Sequence, residues 1–288
     1  MYSFNSEIRI ATRSSPLAIK QCDILIEKLP SLKTKIIKIV SKGDEIQDKS
    51  LQEIGGKGLF IKKLEQALID NEADIAVHSL KDMEWKETKG LEIAAFLQRG
   101  SRKDILISKY KSIYELPKNA KLGTSSVRRK AFILSERPDL NISILRGNIN
   151  TRINKYNIGK FDGIVLAQAG VERLNLKIKY TEFDESIMLP SAGQGAIAVQ
   201  CRSKSKPILN LIRSLNHEQT KYETLAERSF VFNLNGTCSS PIGASAKISN
   251  EILELYGALA SPDLSLIHIS EPTRLLSSSD AVVCLKKK

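Results

Sequence analysis

Aromatic residues make up only 6% of this 288-residue chain, and it holds a single Trp, 3 His and 4 Cys. Each shortage excludes something. The few aromatics form no stacking pattern beside basic residues, and no helix-turn-helix, zinc-finger or ribonucleoprotein signature appears. A nucleic-acid partner is therefore not expected. Cys22, Cys201, Cys238 and Cys284 stand far apart without a Cys-x-x-Cys pair. That argues against a disulfide framework or a zinc site and for a reducing compartment, the cytoplasm. No run of ~18 apolar residues exists, so no transmembrane helix and no membrane partner is expected. Residues 1–10 carry Glu7 and Arg9 and lack an apolar core, so a secretory signal is not expected either.

What is present is a globular composition: 42% hydrophobic and 26% charged residues exclude a disordered chain. At ~100–200 residues per domain, the length implies two or three domains. The balance is basic, with 44 Lys and Arg against 32 Asp and Glu and a formal net charge of +12. Small anionic substrates account for that charge; so do lysines on solvated helix faces.

Strand and helix patterns alternate. Segments 7–12, 33–40, 74–77 and 91–97 read as strands, and helices are expected from Pro16, behind a Ser14 or Ser15 cap, and over 59–69. The alternation restarts with strands at 104–107, 120–123, 141–145 and 163–167. Helices follow Thr124-Ser125-Ser126, Asn148 and Ala167. Alternating strands and helices imply parallel-type sheets with crossover helices, and ligands bind beyond the carboxyl ends of such strands. From about His217 the pattern changes to one long helix over 218–234 and two strands, 242–248 and 252–258, which suggests a small separate α+β module.

The polar clusters fall at the expected strand ends. Six arginines stand out, Arg13, Arg128, Arg129, Arg146, Arg152 and Arg173, five of them at strand ends or helix starts or just inside the following helices. Guanidinium groups bind carboxylates bidentately and stay charged, and helix starts bearing Ser or Thr add backbone donors, so the set points to anion binding. His78-Ser79-Leu80-Lys81-Asp82 follows a short apolar strand. There Asp82 is either a general acid/base and cation stabiliser or a capping residue paired with Lys81. His78 has no histidine at metal-ligand spacing, so no metal site is expected. Gly55-Gly56-Lys57-Gly58 lacks the spacing of a phosphate loop and reads as a loop tip. Cys238, in the turn after Asn235-Gly236-Thr237, is a candidate nucleophile or attachment point, whereas Cys22 and Cys201 fit buried structural roles. Ser191-Ala192-Gly193-Gln194-Gly195 is a glycine-rich crossing suited to a hinge or a close backbone approach.

In order along the chain, Ile10-Ala11-Thr12-Arg13-Ser14-Ser15-Pro16-Leu17-Ala18, Gly55-Gly56-Lys57-Gly58-Leu59-Phe60, His78-Ser79-Leu80-Lys81-Asp82, Gly123-Thr124-Ser125-Ser126-Val127-Arg128-Arg129, Leu145-Arg146-Gly147-Asn148 with Thr151-Arg152, Gly193-Gln194-Gly195-Ala196, and Cys238 with Pro241-Ile242-Gly243 closely resemble the porphobilinogen deaminase (hydroxymethylbilane synthase) family. The resemblance spans about residues 1–260. It implies a transferase of tetrapyrrole and haem biosynthesis that joins four porphobilinogen molecules into linear hydroxymethylbilane with loss of ammonia. Its cofactor is a dipyrromethane held by a thioether at Cys238. The resemblance makes Asp82 the catalytic carboxylate. It places Arg128, Arg129, Arg146, Lys81, Ser79, Thr124, Ser126 and Gln194 around the cofactor, and Arg13, Arg146, Arg152 and Arg173 on substrate acetate and propionate groups. Loop 41–58 resembles a mobile lid, with Lys57 and Phe60 as its residues. No metal is implied, and a cytoplasmic monomer is expected.

The implied fold is α/β: two periplasmic-binding-protein-like (type II) domains with parallel-type mixed sheets, then a small α+β C-terminal domain. Domain 1 is expected over 1–96 and 195–213, domain 2 over 97–194, and domain 3, carrying Cys238, over 214–263. Two departures from the family pattern stand out. Met83-Glu84-Trp85-Lys86 replaces the proline usual after Lys-Asp. From Leu264 the chain resembles translated adapter sequence, so 264–288 is expected to be a non-native tail and domain 3 to be incomplete. The competing class is a non-catalytic two-lobed solute-binding protein for a small anion, which would need neither Cys238 nor Asp82.

Overall fold

The structure, a computed structural model, describes residues 7–40, 58–237, 240–260 and 266–274. It divides into two compact units, Met1–Gly100 with Ala196–Lys221, and Ser101–Gly195 with Tyr222–Lys288.

The first unit is built on a five-stranded sheet. Its elements are β1 (Ile8–Arg13), α1 (Pro16–Ile26), β2 (Thr34–Ile39), α2 (Gly58–Ile69), β3 (Ile75–Ser79), β4 (Leu91–Phe96), β10 (Ile197–Arg202) and α6 (Lys206–Arg213). The strand order is β2-β1-β3-β10-β4. β1 runs parallel to β2 and β3, while β10 enters antiparallel between β3 and β4. α1 begins where its caps dictate: Ser15 accepts a hydrogen bond from the Ala18 amide, and Pro16 occupies the first turn, where its missing N–H costs nothing. Ile10, Leu25, Ile75 and Val199 close one face of the sheet, with Cys22 and Cys201 fully buried among them as expected. Burial pushes those two thiols up to about 12 and about 11, which makes them inert as nucleophiles.

The second unit repeats this topology. β5 (Asp104–Ser108), β6 (Lys121–Gly123), α3 (Val127–Glu136), β7 (Asn141–Ser143), α4 (Ile149–Asn157), β8 (Gly163–Ala167), α5 (Gln168–Arg173) and β9 (Thr181–Glu182) give the order β7-β6-β8-β5-β9. β6 is parallel to β7 and β8, and β5 is antiparallel to β8 and β9. Both sheets are therefore mixed α/β, each with a strand inserted against the parallel set.

The C-terminal elements are α7 (Glu218–Asn233), β11 (Ile242–Ser249), β12 (Ile252–Ala260) and β13 (Leu266–Arg274), the strands forming an antiparallel sheet. Leu253 and Leu255 on β12 face Ala226 and Phe230 of α7, while the alternate residues point outward. This module groups with the second unit. Ala258 and Ala260 share a core with Phe132 and Ile133 of α3. Arg102 pairs with Glu223 at 2.8 Å, and Glu227 accepts the amides of Gly193 and Ala246 at 2.8 and 2.9 Å. Leu266–Arg274, inside the segment expected to be non-native, pairs with β12 over nine residues, Ile252 opposite Arg274 through Ala260 opposite Leu266. The unit boundaries fall after residues 100, 195 and 221. Among the described residues no helix is long and apolar enough to cross a membrane.

Candidate functional site

In the first unit the polar residues gather at the carboxyl ends of two parallel strands. Ile10 lies opposite Ile75, which brings Arg13 at the end of β1 and Ser79 at the end of β3 to the same edge of the sheet. The Ser79 hydroxyl is 2.9 Å from the Gln21 side-chain nitrogen, and Gln21 is buried on α1. The chain then makes a single 3-10 turn, Leu80–Asp82. Leu80 anchors it, with its side chain buried and its amide donating to the Ala196 carbonyl at 3.1 Å. Lys81 and Asp82 are half-buried on this turn. The turn therefore holds Asp82 at a fixed place beyond a strand end, the position where a carboxylate can act on a ligand.

The second unit centres on a carboxylate that the sequence reading passed over. Asp104 opens β5, and because β5 is antiparallel to β8 it pairs with Ala167 at the carboxyl end of β8. It is fully buried. Arg128 donates to Asp104 Oδ2 at 2.7 Å, and Arg129 donates to Oδ1 through Nη2 at 2.7 Å and Nε at 3.1 Å. Gln194 adds a fourth hydrogen bond at 2.9 Å. Both Nη1 groups donate to main chain, Arg128 Nη1 to Leu189 O and Arg129 Nη1 to Val165 O. Arg128 Nε is buried with no partner among the described residues. Two guanidinium groups thus face one internal carboxylate. Burial pushes the Arg128 pKa down, with Asp104 opposing and Arg129 adding to the fall. A buried excess of positive charge is costly unless an anion answers it.

The starts of α3 and α4 in this unit are capped by side chains. Ser126 accepts from the Arg129 amide at the start of α3, and Thr124 Oγ1 accepts from the Ser126 amide at 3.2 Å. Asn148 caps α4 through the Thr151 amide at 2.9 Å. Between β7 and α4 the chain turns at Gly147 with φ +108°, where a Cβ would lie 2.8 Å from Thr151 Cγ2, so only glycine fits. That turn buries Arg146 and lets Arg152 donate to the Gly147 carbonyl at 2.7 Å. Arg173, closing α5, donates to the Gly195 carbonyl, and burial pulls its pKa down to about 10 against the opposing charge of Glu172.

The structure therefore places Arg13, Ser79, Lys81 and Asp82 together in one unit, and Thr124, Ser126, Arg128, Arg129, Arg146, Arg152, Arg173 and Gln194 in the other. Cys238 and Lys57 lie outside the described residues, as does the expected lid 41–58 except Gly58, which opens α2; Phe60 falls in the first turn of that helix. Among the described residues no His, Cys, Asp and Glu group could hold a metal ion. Asp104 had one signal in the sequence: an acid opening a run that is otherwise apolar.

Comparison with known proteins gives a consistent result. Residues 8–210 match the family model of the porphobilinogen deaminase dipyromethane cofactor binding domain, and 221–285 match the porphobilinogen deaminase C-terminal domain. The chain is 47% identical over 270 residues to porphobilinogen deaminase of Buchnera aphidicola subsp. Acyrthosiphon pisum (strain APS), covering 92% of this chain and 86% of that one. It is 44% identical over 262 residues to porphobilinogen deaminase of Brevibacillus brevis, covering 88% and 85%. A solved structure, substrate binding domain 2 of Lactococcus lactis GlnP in an open conformation, is similar at 13% identity and a TM-score of 0.43, covering 74% of this chain and 88% of that one. With family models matched over most of its length and relatives well above 30% identity, the chain belongs to the porphobilinogen deaminase family.

Proposed function

We propose that the chain condenses four porphobilinogen molecules head to tail into hydroxymethylbilane, releasing one ammonia at each addition, as a cytoplasmic monomer of tetrapyrrole biosynthesis. The observation that carries this reading is the buried Arg128–Asp104–Arg129 cluster, lying within the span that matches the cofactor-binding domain. Each porphobilinogen brings two carboxylates, so the growing product needs fixed cations that do not lose their charge. The residues present fit a dipyrromethane. Arg128 keeps a buried Nε without a partner among the described residues, and the cluster holds one more positive charge than Asp104 offsets. In this reading Arg128 and Arg129, with Arg146, Lys81, Ser79, Thr124, Ser126 and Gln194, hold the cofactor, and Cys238 carries it by a thioether. When bound, it supplies the pyrrole end to which the first substrate joins.

Arg13, Arg146, Arg152 and Arg173 orient the acetate and propionate groups of the substrate, which fixes the ring that is to react. Asp82 accepts hydrogen bonds from pyrrole N–H groups. The amine leaves from its protonated form, so breaking the C–N bond of the aminomethyl (ammonium) group releases neutral ammonia and leaves the positive charge on the substrate; forming the new C–C bond then expels a proton from the attacked ring carbon. Asp82 offsets the first charge and takes up that proton.

The test is the intact mass of the purified chain beside Cys238→Ser, followed by porphobilinogen consumption and ammonia release. A mass gain of two pyrrole units that disappears in Cys238→Ser, with turnover only in the unmodified chain, is expected. A fully folded chain that gains no mass and consumes no porphobilinogen would overturn the reading.

A further inference from the structure

The first unit contains a buried hydrogen-bond chain that the proposed reaction does not use. Glu65 on α2 is 9% exposed, while Gln200 on β10 and His78 on β3 are 0% and 5% exposed. Ala198 pairs with His78 across the antiparallel strands, so Gln200 is the diagonal neighbour of His78 on the same face. Thr88 Oγ1 donates to Glu65 Oε2 at 2.8 Å, and Gln200 Nε2 donates to Glu65 Oε1 at 3.0 Å. At the other end of the amide, Gln200 Oε1 lies 3.1 Å from His78 Nε2.

The chemistry of these groups fixes the direction of every bond. A carboxylate only accepts, so the Gln200 atom facing Glu65 must be its NH2 group. The amide oxygen, which also only accepts, is then turned to His78, and His78 Nε2 must carry the hydrogen. Burial keeps this imidazole neutral, so it has one N–H and its Nδ1 keeps a bare lone pair. The strand that carries this ring runs directly into Ser79 and the Leu80–Asp82 turn, and the charge of Asp82 is felt at the ring.

We propose that Glu65 and Gln200 are positioning residues that hold His78 as the Nε2–H tautomer, with Nδ1 as an acceptor, and so fix the strand end that presents Asp82. Glu65 sets the amide, the amide sets the ring, and the ring ties β3 to β10 one residue before Ser79. The link to Asp82 rests on the function proposed above; the tautomer does not.

The 3 histidines of the chain make this directly observable. The full-length chain, labelled with nitrogen-15, is examined by long-range proton–nitrogen correlation at pH 7, and the His78 ring is assigned by its loss in His78→Gln. The expected spectrum has a protonated Nε2 and an unprotonated Nδ1. Glu65→Gln, which keeps the shape but offers donors as well as acceptors, is expected to release the Gln200 amide and move His78 toward the Nδ1–H form. In that variant kcat for porphobilinogen should fall about tenfold, with KM within twofold, because the reacting carboxylate is misplaced while the substrate-binding arginines are untouched. An Nδ1–H ring in the unmodified chain would overturn the proposal, and that measurement decides even where Glu65→Gln fails to fold. A Glu65→Gln protein with unchanged tautomer and unchanged kcat would overturn it equally. An unmodified chain with the expected tautomer that turns over no porphobilinogen would instead overturn the functional reading.

Discussion

Lowering the pH from 7 to 5 should destabilise this protein through one side chain, His78. Burial holds its folded pKa down at about 4, against 6.5 for a free imidazole; the Gln200 hydrogen bond and the charge of Asp82 oppose the shift without cancelling it. The unfolded chain therefore binds a proton that the folded chain refuses, so stability is fully present above pH 6.5 and falls as the pH drops toward 4. A gap of about 2.5 pH units at ~1.4 kcal/mol each gives ~3.4 kcal/mol at the limit, of which about 2 kcal/mol is gone by pH 5. Asp74, Glu182 and Asp184 are held below their usual range by their hydrogen bonds and nearby cations, and their losses also come on acidification. Those losses fall near and below the ordinary carboxylate pKa of ~4, outside the window. Urea unfolding at pH 7, 6 and 5 measures the effect, with His78→Gln alongside. The unmodified chain should lose about 2 kcal/mol between the end points and His78→Gln almost none. Equal slopes for the two proteins, or a flat profile for the unmodified chain, would refute the assignment of a buried neutral imidazole.

Three further outcomes are expected. Asp104→Asn should cost about 3–5 kcal/mol in urea unfolding, because it leaves two buried guanidinium groups facing each other; adding Arg128→Met should recover part of that loss. Asp82→Asn should lower kcat by at least ~100-fold while leaving the unfolding midpoint within a few degrees, and near-normal turnover would remove Asp82 from the reaction. Gly257→Ala would drive a methyl group into the buried Phe230 ring; a loss of about 1–3 kcal/mol is expected, partly relieved by Phe230→Leu in the same chain.

The elements read from sequence are those whose determinants are local. β8 carries the apolar run of 163–167, and α1 starts at Ser15 and Pro16, because a cap and a five-residue pattern need no distant partner. The strand-end motifs around Arg13, Asp82, Arg128 and Arg146 were visible for the same reason: a loop residue beyond a strand is marked by its neighbours in the chain. β10 is different. It follows a glycine-rich crossing and enters antiparallel between β3 and β4, more than a hundred residues earlier in the chain, so nothing in its own six residues announces where it goes. β9, two residues long, gives periodicity nothing to act on.

The arginine pair shows where residue type stops being informative. Adjacent Arg128 and Arg129 after a Ser cap read as anion-binding groups. What the sequence does not reveal is that a carboxylate 24 residues away takes one anion's place. Asp104 stands at the start of a strand, the end that ordinarily faces away from an α/β site; only the reversed direction of β5 carries it to the carboxyl edge of β8. That reversal changes the electrostatics. Without Asp104 the two cations would repel each other in a buried setting and swing apart; with it they are clamped side by side and retain about one net charge. The charge and geometry of the arginine pair in the second unit are therefore set by an acid. By this argument, the variant that most disturbs the arginine pair is a change at Asp104 and not at either arginine.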